Sequence, residues 1–235
     1  MKKFWGLLLL GLIAAVVLTS SIGSAEGIGT VVQVGINNDT YVYQEAFSEV
    51  IVLQRGKENS SSVEQVGAQH LAGVVQLGEK NNIEVKQLGQ RDLLFSMQLG
   101  FKNYANITQT HPILAPSRAY ISSNDAFAYQ TGLYNVLNLL QIGDENTASV
   151  YQIDDNNEAF IVQEQMPLSL GANATLVVQV GIGNGASSQQ LGAHQTSRTL
   201  QLGNGNRSLI NQNGIDNNAS VFQAGNQNTV TINQG

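Results

Sequence analysis

"QLGFKNYANITQ", residues 98–109, opens and closes on glutamine. Gly100 follows Gln98 by two positions and Asn103 by five, and from Asn103 onward the residue types alternate up to Gln109. The same phrase returns along the whole chain. Its glutamine stands at Gln33, Gln44, Gln54, Gln65, Gln76, Gln87, Gln98, Gln109, Gln130, Gln141, Gln152, Gln163, Gln179, Gln190, Gln201, Gln212, Gln223 and Gln234, mostly at intervals of eleven residues. A fixed period of this kind marks a solenoid, in which each unit packs only on its neighbours.

The residues two, four and six positions before each glutamine share its parity. In Asn146-Thr-Ala-Ser-Val-Tyr-Gln152 these are Val150, Ala148 and Asn146. Successive strand side chains point to opposite faces, so the four are expected to turn inward together. A glycine two residues after the glutamine supplies a backbone free to adopt positive φ, and polar residues around it suit an arc. Each unit therefore reads as one strand followed by one arc.

Alternate units differ, and that difference sets the true period. After Gln33, Gln54, Gln76, Gln98, Gln130, Gln152, Gln179, Gln201 and Gln223 the arc keeps one length. It always delivers asparagine: Asn38, Asn59, Asn81, Asn103, Asn135, Asn157, Asn184, Asn206 and Asn228. The other arc leads to Ser48, His70, Asp92, Asn124, Asn146, Asn173, Gln195 and Asn217, with Gly27 heading the column. All length variation falls there: one residue lost before Gln54, ten gained before Gln130 and five gained before Gln179. Strict and lax arcs alternate, so one coil holds two strands. The expected fold is all-β: a two-sheeted β-solenoid, a parallel in-register cross-β stack of about nine 22-residue strand-arc-strand-arc coils, rising roughly 43 Å at about 4.8 Å per coil.

Such stacking sets glutamine over glutamine and asparagine over asparagine, so each side-chain amide can donate to one neighbour and accept from the other. A buried amide left unpaired costs roughly 1–3 kcal/mol, and a slip of register would unpair them all. Small and β-branched residues between the columns, such as Ala105 with Ile107, suit a thin dry core.

Composition narrows the function. Only 12% of residues are charged and 6% aromatic, and there is no cysteine for a disulfide framework. Lys2 and Lys3, the apolar run Phe4–Leu18 and the small residues Gly23-Ser24-Ala25 read as a signal peptide, residues 1–25, cleaved after Ala25. The run of 15 residues is short for a membrane span, and no later stretch is long enough, so no span is expected after cleavage. The repeat domain is then 26–235, with insertions at 110–123 and 164–172. Removing Lys2 and Lys3 from the 11 basic residues leaves 9 against 17 acidic ones, a net charge of −8. That excess argues against nucleic acid as a partner.

Site chemistry is sparse. His70 stands in the lax column, His111 in an insertion and His194 in an arc, where a satisfied or solvated imidazole is expected rather than a metal ligand. "IDDNN" at 153–157 and "GDEN" at 143–146 lack the alternating acid spacing of a calcium loop. No nucleophile elbow, Walker loop or zinc motif is present, so no catalytic residue, cofactor or metal is expected.

One outward column stands out. Val32, Leu53, Val75, Met97, Tyr129, Tyr151, Val178, Leu200 and Phe222 each precede a strict-set glutamine, and all are apolar. The matching column on the other sheet, Tyr43, Glu64, Lys86, Thr108, Leu140, Val162, Gln189, Asn211 and Asn233, is mostly polar. A stripe of that length is a candidate lateral interface for fibre pairing or surface docking. The alternative is that the insertions, which hold Pro112, Pro116 and Pro167, fold over it. The last coil reads "NTVTINQG" in phase, and bare strand edges template further strands, so end-to-end polymerisation is expected. Sparse arc charges such as Asp144 and Asp216 would act as gatekeepers that slow it.

The pattern resembles the curlin repeat, Gln-x-Gly-x-x-Asn-x-Ala-x-x-x-Gln, which stands complete in Gln98–Gln109, Gln141–Gln152 and Gln212–Gln223. The resemblance implies a secreted subunit of curli-like functional amyloid fibres at a bacterial surface, serving biofilm matrix and adhesion. Its implied partners are further copies of itself, a nucleator or major fibre subunit, and an export pore. A monomeric solenoid adhesin, holding a surface ligand on the apolar face or the insertions, is the alternative.

Overall fold

The computed structural model describes residues 16–18, 27–111, 123–165 and 171–235. Most of the stretch read as a signal peptide lies outside them, as do residues 112–122 and 166–170 of the two insertions, with all three prolines. Within 16–18 the strand β1 (Val16–Leu18) pairs antiparallel with Val31–Gln33.

The rest is a two-sheeted solenoid, and every remaining strand pairing is parallel. One sheet stacks β2 (Ile28–Ile36), β4 (Glu49–Lys57), β6 (Leu71–Glu79), β8 (Leu93–Phe101), β10 (Asp125–Leu133), β12 (Thr147–Ile153), β14 (Ala174–Val180), β16 (Thr196–Leu202) and β18 (Asn218–Ala224). The facing sheet stacks β3 (Asp39–Gln44), β5 (Ser60–Ala68), β7 (Asn82–Gln90), β9 (Tyr104–Thr110), β11 (Val136–Ile142), β13 (Glu158–Glu164), β15 (Gly185–Ala193), β17 (Arg207–Ile215) and β19 (Thr229–Gln234). Apart from β1, odd and even strands never share a sheet, so each coil contributes one strand to each.

Register is set by the side chains that the coil encloses. Gln54 pairs with Gln76, Gln76 with Gln98 and Gln98 with Gln130, so the longer lax arc before Gln130 leaves the strand phase untouched. Between the sheets lie alternating large and small apolar residues. Ile83, Leu94, Ile107, Leu137 and Ile161 are fully buried, beside Ala72, Ala105, Ala148 and Ala159. An isoleucine buried this completely contributes about 1.5–3 kcal/mol.

The core is not uniform along the axis. A continuous apolar cluster runs from Val31 to Ala186, and a separate one comprises Ile210, Ala219 and Val221. Between them the inward positions are hydroxyls, which satisfy one another: Ser188 and Ser197 lie 2.6 Å apart, and Thr175 and Ser197 3.0 Å.

The arcs stack as closely as the strands. Gly78 has φ +123°, and a Cβ there would overlap the Gly100 carbonyl in the next coil, so glycine is demanded twice over. Two residues later the chain enters the left-handed region again at Lys80 and Lys102, with φ of 57° and 54°. Their N–H groups donate to Lys57 and Glu79 carbonyls at 2.9 and 3.0 Å, which closes the arc ladder.

Candidate functional site

Two glutamine columns run through the interior. In the strict set, Gln33 Nε2 donates to Gln54 Oε1 at 2.7 Å, Gln54 to Gln76 at 2.7 Å, Gln76 to Gln98 at 3.1 Å and Gln98 to Gln130 at 2.7 Å. The column continues through Gln152, Gln179 and Gln201 to Gln223. Its counterpart on the facing sheet runs from Gln44 through Gln65, Gln87 and Gln109 to Gln141 and on to Gln234. The second amide hydrogen crosses the core. Gln76 Nε2 reaches the Ser60 carbonyl at 2.8 Å, and Gln98 Nε2 the Asn82 carbonyl at 3.0 Å, so each of these glutamines ties its own sheet to the start of the preceding strand on the facing sheet.

The asparagine column runs with the opposite sense. Asn59 donates both its backbone N–H and its Nδ2 to Asn38 Oδ1 at 3.1 Å, and Asn81, Asn103 and Asn135 repeat the arrangement on the residue below. Asn157 donates through its backbone N–H, and Asn184, Asn206 and Asn228 complete the series. Its remaining Nδ2 hydrogen faces the other way, as from Asn59 to the Gly78 carbonyl at 2.9 Å. Glutamines thus donate toward higher residue numbers, while asparagine oxygens accept from that same direction. The stack has a chemical polarity, and its two edges are different surfaces.

Most of these side chains are fully buried. Gln33, Asn38 and Asn228 are partly or largely exposed because they belong to the outermost coils.

The outward apolar column follows the face of the β2-to-β18 sheet. Seven of its nine members are half-buried, since each lies between its counterparts in the coils above and below; Leu53 and Phe222 are exposed, at 37% and 66%. Aromatic residues from the neighbouring column join it. Phe95 stacks on Phe127 at 5.6 Å, Phe127 meets Tyr151 at 5.2 Å, and Tyr151 meets Tyr129 at 6.5 Å between ring centroids. These four rings make a cluster over β8, β10 and β12.

The lax column holds what the sequence left scattered. His70 and Asp92 are buried neighbours in it, and His111 is brought against Asp92 from the root of the first insertion. The available signal was phase: His111 occupies the position, two after Gln109, where Gly67, Gly89 and Gly143 stand in adjacent coils. A Cβ at Gly89 would overlap the His111 ring, so the ring fits against a bare α-carbon.

Residues 56–89, from the arc glycine of one coil to the corresponding glycine of the facing arc one and a half coils on, match the family model for the curlin associated repeat. Those residues carry the curlin associated repeat. Outside those residues glutamine stays opposite glutamine through the parallel pairings of both sheets. No curated protein matches the sequence. The repeat and the solenoid are those of a structural protein. No helix among the described residues is long and apolar enough to cross a membrane.

Proposed function

We propose that this curlin-repeat protein is exported by an N-terminal signal peptide and builds extracellular curli-like amyloid fibres, adding copies end to end, in biofilm matrix and cell adhesion. One observation carries the reading: the junction between successive coils has the same chemistry at almost every step. Two glutamine columns, one asparagine column and parallel backbone pairing recur without a change of register. A coil from a second copy would therefore meet an outer edge much as the chain's own coils meet one another. The opposed senses of the amide columns favour head-to-tail addition, because a reversed copy would set donor against donor. Removal of residues 1–25 would also take away β1 and free the edge of β2.

The apolar column and its aromatic neighbours are the proposed lateral contact between two such stacks. A side chain recurring once per coil along a fibre is best matched by a surface of the same spacing, and a second fibre has that spacing. An export pore and a nucleator or major subunit are the further partners that this reading brings.

Incubating the mature chain, residues 26–235, with an amyloid dye, beside fibre diffraction and electron microscopy, tests the proposal. Dye-positive fibres with a 4.8 Å meridional spacing are expected. A persistently soluble, dye-negative monomer would overturn it in favour of a solenoid adhesin.

A further inference from the structure

The lax column lacks side-chain amides at three successive rungs. Ser48, His70, Asp92 and Asn124 follow one another there, and the backbone N–H of each later residue points at the side chain of the one before. Into this column His111 inserts from the end of β9. Both of its ring nitrogens face groups that can only accept. Nε2 lies 2.8 Å from Asp92 Oδ1, and Nδ1 lies 2.8 Å from the Gly143 carbonyl, with Asp144 Oδ1 3.3 Å from the same nitrogen. A neutral imidazole carries one N–H and could serve one of them; an imidazolium serves both.

Asp92 is the matching anion. Its Oδ1 also accepts the Asn124 N–H at 3.0 Å, while its buried Oδ2 has no hydrogen bond among the described residues and lies 3.3 Å from His70 Nδ1. His70 Nε2 faces the Val66 carbonyl at 3.3 Å, and its Nδ1 is 3.3 Å from the Asp92 N–H. A proton on Nε2 satisfies those two contacts and leaves Oδ2 without a donor.

We propose that Asp92 and His111, with His70 beneath them, form a proton-dependent clamp that fastens the root of the 110–123 insertion to the stack, holding in mildly acidic solution and releasing as the solution turns alkaline. It rests on the coil geometry alone, so its failure would leave the fibre reading standing.

Burial opposes the charge on His111, but the hydrogen bond to Asp92, the Asp92 charge, the Gly143 carbonyl and the Asp144 charge together raise its pKa above the ordinary 6.5. Burial likewise opposes the charge on Asp92, yet the hydrogen bond from His111, with His70 beside it, holds its carboxyl below the ordinary 3.8. A raised histidine adds stability that is complete below 6.5 and is lost as pH climbs through the raised value. A depressed aspartate adds stability that is present above 3.8 and is lost as pH falls through the lowered value. Both contributions are whole only between 3.8 and 6.5. The other titratable groups facing the cluster are Asp144 and, at the start of β10, Asp125, pushed up by burial and by the Asp92 charge. Arg91 beside Asp92 is turned to the Gln69 amide at 2.8 Å.

Two measurements on the full chain test the clamp. Above pH 6.5 the folding equilibrium constant, from guanidinium unfolding, should fall by up to about tenfold per pH unit until the raised value is passed. Asp92→Asn restores the amide found at Asn124 and Asn146, and His111→Gln keeps a donor without a titrating group, so both variants should lose that slope. Nitrogen-15 shifts of labelled histidine near neutral pH should show one ring protonated at both nitrogens, a signal absent from His111→Gln. A slope that persists unchanged in both variants, a wild-type chain with no slope, or no doubly protonated ring would each overturn the proposal.

Discussion

A ladder glutamine in this solenoid donates along the axis, accepts along the axis and donates once across the core. Gln98 shows all three roles: it accepts from Gln76, donates to Gln130 and reaches the Asn82 carbonyl. Gln98→Ala would orphan the Gln76 donor, the Gln130 acceptor and a strand-entry carbonyl, all in a buried column. At about 1–3 kcal/mol for each buried group left unpaired, the loss should exceed about 3 kcal/mol. The guanidinium midpoint of the variant should fall accordingly, whereas Gln33→Ala, in the outermost coil, should cost less than half as much. Gly78→Ala is the backbone counterpart. Its φ of +123° and the crowding of Gly100 predict a loss of about 1–3 kcal/mol from strain alone, read by the same midpoint.

At the scale of strand and arc, most of the fold was legible because side-chain parity and stacking are one constraint seen twice. Asn146, Ala148, Val150 and Gln152 share parity, and all four are buried. The outward column was less legible. Its residues are apolar as written, yet how far Tyr129 and Tyr151 lie open depends on the rings above and below them, and a single strand carries no record of those. The clamp was least legible, since Asp92 and His111 lie 19 residues apart and meet only when coils are superposed. The two arcs also differ in a way that can be measured. In the strict arc an unbroken asparagine column fixes the path, while the lax arc admits whole insertions without moving Gln109 from its bond to Gln141 at 3.0 Å. Four residues added after Gly214, in the lax arc, should therefore cost little more than loop closure, about 0.6 kcal/mol for a doubling of length. The same residues added after Gly100, in the strict arc, should sever the Asn103 column and lower the unfolding midpoint several times further.

Across the whole molecule, stability is set by neighbour-to-neighbour contacts, so a weak junction shows as a boundary. The hydroxyl layer of Thr175, Ser188, Ser197, Thr199 and Ser208 is such a junction, because it divides the long apolar cluster from the short one at Ile210, Ala219 and Val221. Its hydroxyls are paired, so the layer avoids the cost of unpaired polar groups but gains little from removing apolar surface from water. The amide columns cross it unbroken, through Gln179 to Gln201 at 3.0 Å and Gln190 to Gln212 at 3.0 Å, which keeps register while the apolar contribution drops. Opening should therefore begin on the far side of this layer. Amide hydrogen exchange of the unassembled chain should find β17, β18 and β19 exchanging as one group before β6 to β13. Replacing Ser197 and Thr199 with valine would extend the apolar core across the layer and should slow exchange in that group, provided Ser188 and Ser208 are changed to alanine and Thr175 to valine with them so that no hydroxyl is stranded. Uniform protection from β4 to β19 would show instead that the amide columns alone carry the cooperativity of the stack.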